Sequence, residues 1–222
     1  MSLKAIVFDF DGTLLESAKI KTDAFFELFS DHPQHLHQIM AYHHAHEGVS
    51  RFVKFRTIYR DILKRPLGQT EENRLGVAFS RLIADKITQC PFVPGAQAFL
   101  ESVVGQYKCF IASGTPHEEL RALVIRRGIA KFFDEIHGAP QSKAEILHDI
   151  LGRYKVVPTE VLSIGDATSD LEAACAEHVP FAGRVREEET VTFPPGSTVA
   201  LFRDYGELTK EWSAILARVA VL

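Results

Sequence analysis

The chain has 222 residues, a length that suits one full domain with an insertion or two modest ones and is enough to bury a substantial core. With 46% hydrophobic residues, 24% charged residues and a formal net charge of −4, it has ordinary globular composition. No basic stripe favours a nucleic-acid partner, and no apolar run approaches the roughly 18 residues of a membrane span. Cys90, Cys109 and Cys175 are far apart and odd in number, with no CxxC spacing, which argues against a disulfide framework or a thiolate zinc site. Cys109 and Cys175 fall in apolar segments and are expected as core thiols.

The first predicted element is a strand over LKAIVF (3–8), starting too early to leave room for a signal peptide, so the expected compartment is the cytoplasm. That strand ends in two carboxylates, Asp9 and Asp11, followed by Gly12-Thr13. Residues 17–90 then read as helical without a convincing strand, in KTDAFFELF (21–29), SRFVKFRTIYRDIL (50–63) and TEENRLGVAFSRLIADKI (70–87), broken at Pro66-Leu67-Gly68. Pro91-Phe92-Val93-Pro94-Gly95 closes this stretch. Beyond it strand and helix alternate: YKCFIA (107–112), HEELRALVIRRG (117–128), DEIHG (134–138), AEILHDILGRY (144–154), VLSIG (161–165), SDLEAACAEH (169–178), HVPFAG (178–183) and STVALF (197–202). Pro194-Pro195-Gly196 is expected as a loop, and ELTKEWSAILARV (207–219) as a final amphipathic helix. The alternation predicts an α/β fold, a parallel sheet with helices on both faces, carrying an all-helical insertion after its first strand.

In an open parallel sheet ligands bind beyond the carboxyl ends of the strands, where Asp9 and Asp11 fall. Two anions held that close repel unless a cation or proton stabilises them, and oxygen-only ligation favours Mg2+. A turn-capping role is the alternative for such an Asp/Gly stretch. Other strand ends add to the case. Ser113-Gly114-Thr115-Pro116 offers a hydroxyl, an unhindered backbone N–H and a helix N-terminus to a phosphate. Thr115 is expected there as N-cap, with Pro116 at the first helical position and Glu118 closing a capping box, which leaves Ser113 for the ligand. Lys143 falls at the first position of a helix capped by Ser142 and Glu145, where a cation opposes the helix dipole and so calls for a nearby anion. Asp166 and Asp170 flank the start of another helix, as cap and first-turn acid if taken singly, or as partners of Asp9 in a metal site if taken together.

DFDGTL (9–14), SGT (113–115), Lys143 and GDATSD (165–170), in this order across most of the chain, resemble the haloacid dehalogenase superfamily. The resemblance implies a Rossmann-like core of residues 1–16 and 91–222, with residues 17–90 as a C1-type helical cap. It implies a Mg2+-dependent phosphatase that hydrolyses a small soluble phosphomonoester through an aspartyl phosphate. Asp9 would be the nucleophile and Asp11 the general acid and base. Asp9, the Asp11 backbone carbonyl and Asp166 would hold the metal, with Asp170 as a ligand through water or an anchor for Lys143. Ser113, Gly114 and Lys143 would bind the phosphoryl oxygens. Dehalogenases of this fold lack an acid two residues after the nucleophile, so Asp11 favours phosphoryl chemistry.

Specificity is expected in the cap. The segment 42–56 concentrates His43, His44, His46, Arg51, Lys54 and Arg56; without HExxH or HxxEH spacing, its histidines are expected on a solvated helix face. Gly48-Val49-Ser50-Arg51 resembles a cap loop of β-phosphoglucomutases, which makes a hexose-phosphate mutase the alternative reading and Arg51 with Lys54 a candidate second anionic subsite. Against the mutase, Lys21 stands where those enzymes carry a histidine. A non-catalytic binding protein of the same fold is the other alternative.

Overall fold

A computed structural model of the chain describes residues 2–186 and 193–221. Its first strand, β1 (Ala5–Phe8), is buried along its whole length, which is why it reads as an unbroken apolar run rather than an alternating one. Four helices follow, α1 (Ala18–Leu28), α2 (Leu36–Ala45), α3 (Arg51–Thr57), which continues into a π-helical turn over Ile58–Ile62, and α4 (Gln69–Gln89). The core resumes with α5 (Ala96–Val103), β2 (Lys108–Pro116), α6 (His117–Arg126), β3 (Glu135–Ala139) and α7 (Lys143–Tyr154). It ends with β4 (Val161–Gly165), α8 (Thr168–Ala176), β5 (Phe181–Arg184), β6 (Ala200–Phe202) and α9 (Tyr205–Ala220). Among the described residues no helix is long and apolar enough to cross a membrane.

The strands form one parallel six-stranded sheet in the order β3-β2-β1-β4-β5-β6. This is a Rossmann-like α/β core, and β1 at its centre is flanked by β2 and β4, where the strand order reverses. Side chains alternate across the sheet. Ile6, Phe8, Cys109, Ile111, Leu162 and Ile164 pack on one face with α5, α6 and α9. Ala5, Val7, Phe110, Ala112 and Val161 pack on the other with α7 and α8. The inserted helices share the first cluster through an aromatic nucleus in which Phe25 meets Phe79 edge to face at 5.1 Å and Phe55 at 5.7 Å. Gly76 of α4 is needed there, since a Cβ would stand 2.8 Å from the Phe52 ring.

Three local expectations are corrected. Cys175 is exposed, because α8 turns Leu171, Ala173 and Ala174 inward and leaves it on the outer side. β2 runs on to Pro116, so α6 starts at His117 without a side-chain cap, and Thr115 does not serve as N-cap. Ala167 rather than Asp166 is the N-cap of α8, with Asp170 in its first turn. The helix α5 has no counterpart in the sequence reading, since its eight residues span little more than two turns and lie directly after a Pro/Gly break.

Phe8 carries both the sheet centre and its helical layer, its ring meeting Phe99 at 6.3 Å and Phe133 at 6.1 Å, both edge to face. Phe8→Ala is expected to destabilise the protein by about 3–5 kcal/mol in urea unfolding, and a loss under about 1 kcal/mol would refute this account of the core.

Candidate active site

The strand order brings the carboxyl ends of β2, β1 and β4 side by side, and the polar residues that follow them converge. Asp9 is the first residue after β1, and its N–H donates to the Ile164 carbonyl at 2.8 Å, continuing the ladder so that its side chain emerges at the sheet edge. Asp166 follows β4 directly. Between them the chain turns at Gly12, whose φ of +81° and close approach to Asp166, 2.1 Å from where a Cβ would be, leave room for glycine alone. Thr13 Oγ1 donates to Asp166 Oδ1 at 3.0 Å, and Arg184 holds the far side of the turn by donating to the Gly12 carbonyl at 2.5 Å and to Glu16 at 2.6 Å.

Asp9, Asp166 and Asp170 are all buried, and each offers an oxygen within 4.8 Å of the others. Lys143 Nζ bridges two of them, 2.6 Å from Asp170 Oδ1 and 3.0 Å from Asp9 Oδ1. That contact supplies the anion its position at the start of α7 required; Ser142 and Glu145 form the expected capping box beneath it. Arg186 adds a second cation, 3.4 Å from Asp166 Oδ2. The compensation is incomplete. Burial, only partly offset by Lys143, pushes Asp9 and Asp170 each up to about 6, and burial against Arg186 does the same to Asp166. On Lys143 the two carboxylates outweigh burial and hold the ammonium above its ordinary value.

A buried, oxygen-only set of carboxylates fits a divalent hard cation, which would offset the burial and, to a lesser extent, the mutual repulsion that raise all three. The side chain of Asp11 is not part of that set. It turns toward the inserted helices, accepting from Ser17 Oγ at 2.7 Å and Thr115 Oγ1 at 2.9 Å and pairing with the Lys21 ammonium. Burial would raise its pKa, but Lys21 and these two hydroxyls outweigh it and keep Asp11 ionised.

Ser113 is buried in β2 with its Oγ accepting from the Thr115 N–H at 3.1 Å, and Gly114 lies under the loop before α3. A Cβ on Gly114 would fall 2.2 Å from the Gly48 carbonyl oxygen, so glycine here sets how closely cap and core approach. The two parts are also clasped by charge and polar contacts. Glu47 accepts from Arg186 at 2.7 Å, and its backbone carbonyl accepts from Ser169 at 2.9 Å. Arg51 donates to both oxygens of Glu119 on α6, at 2.6 and 3.1 Å, and to Ser80 at 2.9 Å.

A single cavity of about 60 Å³ joins the two levels, with Asp9, Asp11, Ser113 and Gly114 at its floor and Lys21, His43 and Lys54 among its upper walls. His43 is therefore not on a solvated face as expected: it is buried against Phe25 at 4.3 Å, while His44 and His46 remain exposed. Thr13, Thr115, Glu119 and Arg184 had no sequence signal for these roles, because each acts through a partner distant in sequence or, like Thr115, had a sufficient local explanation; Ser17 lies only six residues from Asp11, but nothing in that short stretch showed the chain folding back between them.

A family model for haloacid dehalogenase-like hydrolases matches residues 3–176. The chain belongs to that family. It is 27% identical over 188 residues to a phosphoglycolate phosphatase of Synechococcus elongatus, covering 78% of this chain and 79% of the relative. It is 26% identical over 184 residues to a phosphorylated carbohydrates phosphatase of Thermotoga maritima, covering 78% and 80% of the two chains. Among solved structures, CbbY of Rhodobacter sphaeroides, in complex with xylulose 1,5-bisphosphate, superposes with a TM-score of 0.73 over 93% of this chain and 96% of that one. At 16% identity that likeness speaks for the fold alone. The fold of this hydrolase, with its helical cap, agrees with the family resemblance read from the motifs.

The contact between Gly114 and Gly48 gives a direct check on the closed arrangement. Gly114→Ala should fold normally but lose about a hundredfold in kcat/KM toward any substrate, because the cap loop must shift by an ångström or more. Wild-type turnover in the variant would mean that cap and core need not approach this closely.

Proposed function

We propose that this hydrolase is a Mg2+-dependent phosphatase that cleaves a small soluble phosphomonoester by way of an aspartyl phosphate on Asp9. The observation that carries the reading is the arrangement at the sheet edge: one buried carboxylate, Asp9, touched by the Lys143 ammonium and grouped with Asp166 and Asp170, with Ser113 and Gly114 lining the same cavity. The similarity to two phosphatases of other organisms supports the same reaction class. We assign residues 17–90 as the cap and residues 1–16 and 91–222 as the core.

In this reading a carboxylate oxygen of Asp9 attacks phosphorus, the bond from phosphorus to the ester oxygen breaks, and the leaving alkoxide takes a proton from Asp11. A water then attacks the aspartyl phosphate, Asp11 accepts its proton, and the bond from phosphorus to Asp9 breaks to release phosphate. The resting, ionised Asp11 held by Lys21 and Thr115 suits the second step. For the first it must carry a proton, taken up from water before the ester bond breaks. Lys143, the Ser113 hydroxyl and the Gly114 N–H receive the phosphoryl oxygens, where charge accumulates. Asp9, Asp166 and the Asp11 backbone carbonyl would hold Mg2+, with Asp170 anchoring Lys143. When bound, the ion would supply charge neutralisation for the carboxylates and the phosphoryl oxygens.

Arg51 lines the cavity, but its guanidinium is already paired with both oxygens of Glu119, so the arginine on which a mutase reading depends is engaged within the protein, which further favours hydrolysis.

Purified protein with Mg2+ should hydrolyse para-nitrophenyl phosphate, and Asp9→Asn should abolish turnover with an unchanged melting temperature. More than about a tenth of wild-type kcat in that variant, a loss under about 1.4 kcal/mol, would disprove Asp9 as nucleophile, and a wild-type protein that binds phosphomonoesters without turnover would be a binding protein instead. EDTA should suppress the activity, Mg2+ should restore it and Ca2+ should not, since its larger and less regular shell misplaces Asp9 relative to phosphorus; full activity in chelator would remove the metal from the scheme.

A further inference from the structure

Lys54 on α3 is a buried cation without an anion. Its side chain is only 3% exposed, yet among the described residues no carboxylate lies in ion-pair range of it. Among the described residues the hydrogen-bond partner of its ammonium is His43 Nδ1, at 3.4 Å, and the ammonium lies 5.2 Å from the centre of the Phe25 ring. His43 cannot share the charge: Nδ1 faces the ammonium and so accepts, which leaves Nε2–H to donate to Thr22 Oγ1 at 3.1 Å and makes the ring neutral. Burial and the Lys54 charge hold the imidazole down at about 2, in keeping with that tautomer.

Three other cap cations are already engaged. Arg51 is bound by Glu119, Arg56 by Glu72 at 2.6 Å, and Lys21 by Asp11. Glu47 is the acid whose charge acts on Lys54, but it is held by Arg186, and burial still pulls the Lys54 ammonium down to about 7. Lys21 and Lys143 are among the charges that act on Lys54, which puts it within electrostatic reach of the groups that touch Asp11 and Asp9. It also lines the same small cavity as those carboxylates.

A charge buried in this way is unfavourable by several kcal/mol unless paired, and the partner missing from the protein can come with the ligand. Building on the phosphatase reading, we propose that Lys54 receives a second, singly charged anion of the substrate while the phosphoryl group lies at Asp9, so that the substrate is a short phosphomonoester bearing a carboxylate. One available cation matches a carboxylate monoanion; a second phosphate, near −2, would need the arginine that Glu119 occupies. Lys54 and Asp9 line one cavity, so a single small molecule with an anion at each end can meet both. Lys54 is thus assigned as the specificity residue, and Arg51 as a residue that joins cap to core.

The test compares two substrates of equal chain length, 2-phosphoglycolate and ethyl phosphate, in wild type, Lys54→Met and Lys54→Arg. Wild type should prefer the carboxylate substrate, and Lys54→Met should reduce that preference in kcat/KM by about 10- to 100-fold, chiefly through KM. Lys54→Arg should recover part of it. Melting temperatures identify a variant that fails to fold, and calorimetric binding of both ligands to Asp9→Asn reads the same discrimination without turnover. An unchanged ratio in Lys54→Met, equal wild-type use of both substrates, or a wild-type preference for bisphosphates would each overturn the assignment and leave the phosphatase reading standing. Failure of wild type to hydrolyse any phosphomonoester would instead bring down that reading, and this assignment with it.

Discussion

The structure depends on how three buried carboxylates are kept together. Asp9, Asp166 and Asp170 stand within 4.8 Å of one another out of water, and Lys143 is the cation that makes this tolerable by touching two of them. They come from three segments: Asp9 after β1, Asp166 and Asp170 before and within the first turn of α8, and Lys143 at the start of α7. The sheet order β2-β1-β4 is what makes those segments neighbours. A positive charge at the first position of a helix works against that helix, so its position there is explained by the carboxylates it meets and not by local stability. Burial leaves the acids still raised to about 6, and a buried cluster of this kind could hold a metal ion.

The same rule, that a buried charge must find its opposite, organises the boundary between the helical insertion and the core. Glu47 meets Arg186, Arg51 meets Glu119, and Asp11 meets Lys21. Each pair joins the insertion to the core, so together they hold the cap over the strand ends. Close backbone approach adds to them, with Gly114 against the Gly48 carbonyl and Ser169 bonded to the Glu47 carbonyl. The division of labour follows from this geometry. In the proposed phosphatase the groups at the sheet edge would face the reacting phosphoryl group whatever it is attached to, whereas the cap would present the side chains that meet the rest of the molecule. Within the cap Lys54 stands apart because the rule is left unfulfilled there.

Much of this was legible in the sequence because strands and helices leave periodic marks and because charge at the tip of an apolar strand has no structural use. The apolar runs at 3–8 and 161–165, the acids that follow them and the capping box at Ser142 and Glu145 needed no partner to be recognised. The limits of elements were less so. β2 passes through Ser113 and Thr115 to Pro116 because pairing with β3 continues there past an irregularity in the ladder, a tertiary effect that overrides the local preference for a helix cap.

The sequence by itself therefore determined the α/β class, the helical insertion and the acids at the strand ends, since these rest on patterns within a few residues of one another. Only the tertiary structure decided which charges neutralise which. Arg51 and Lys54 are three residues apart on one helix and look alike in the sequence. Both line the cavity, but Glu119, sixty-eight residues beyond Arg51, binds the first, while among the described residues no carboxylate pairs with the second. Thr115 likewise serves Asp11 rather than its own helix, and His43 is buried while His44 beside it is exposed. Electrostatic pairing acts through space, so its outcome depends on which segments the fold brings together, and that information is not local to any stretch of the chain.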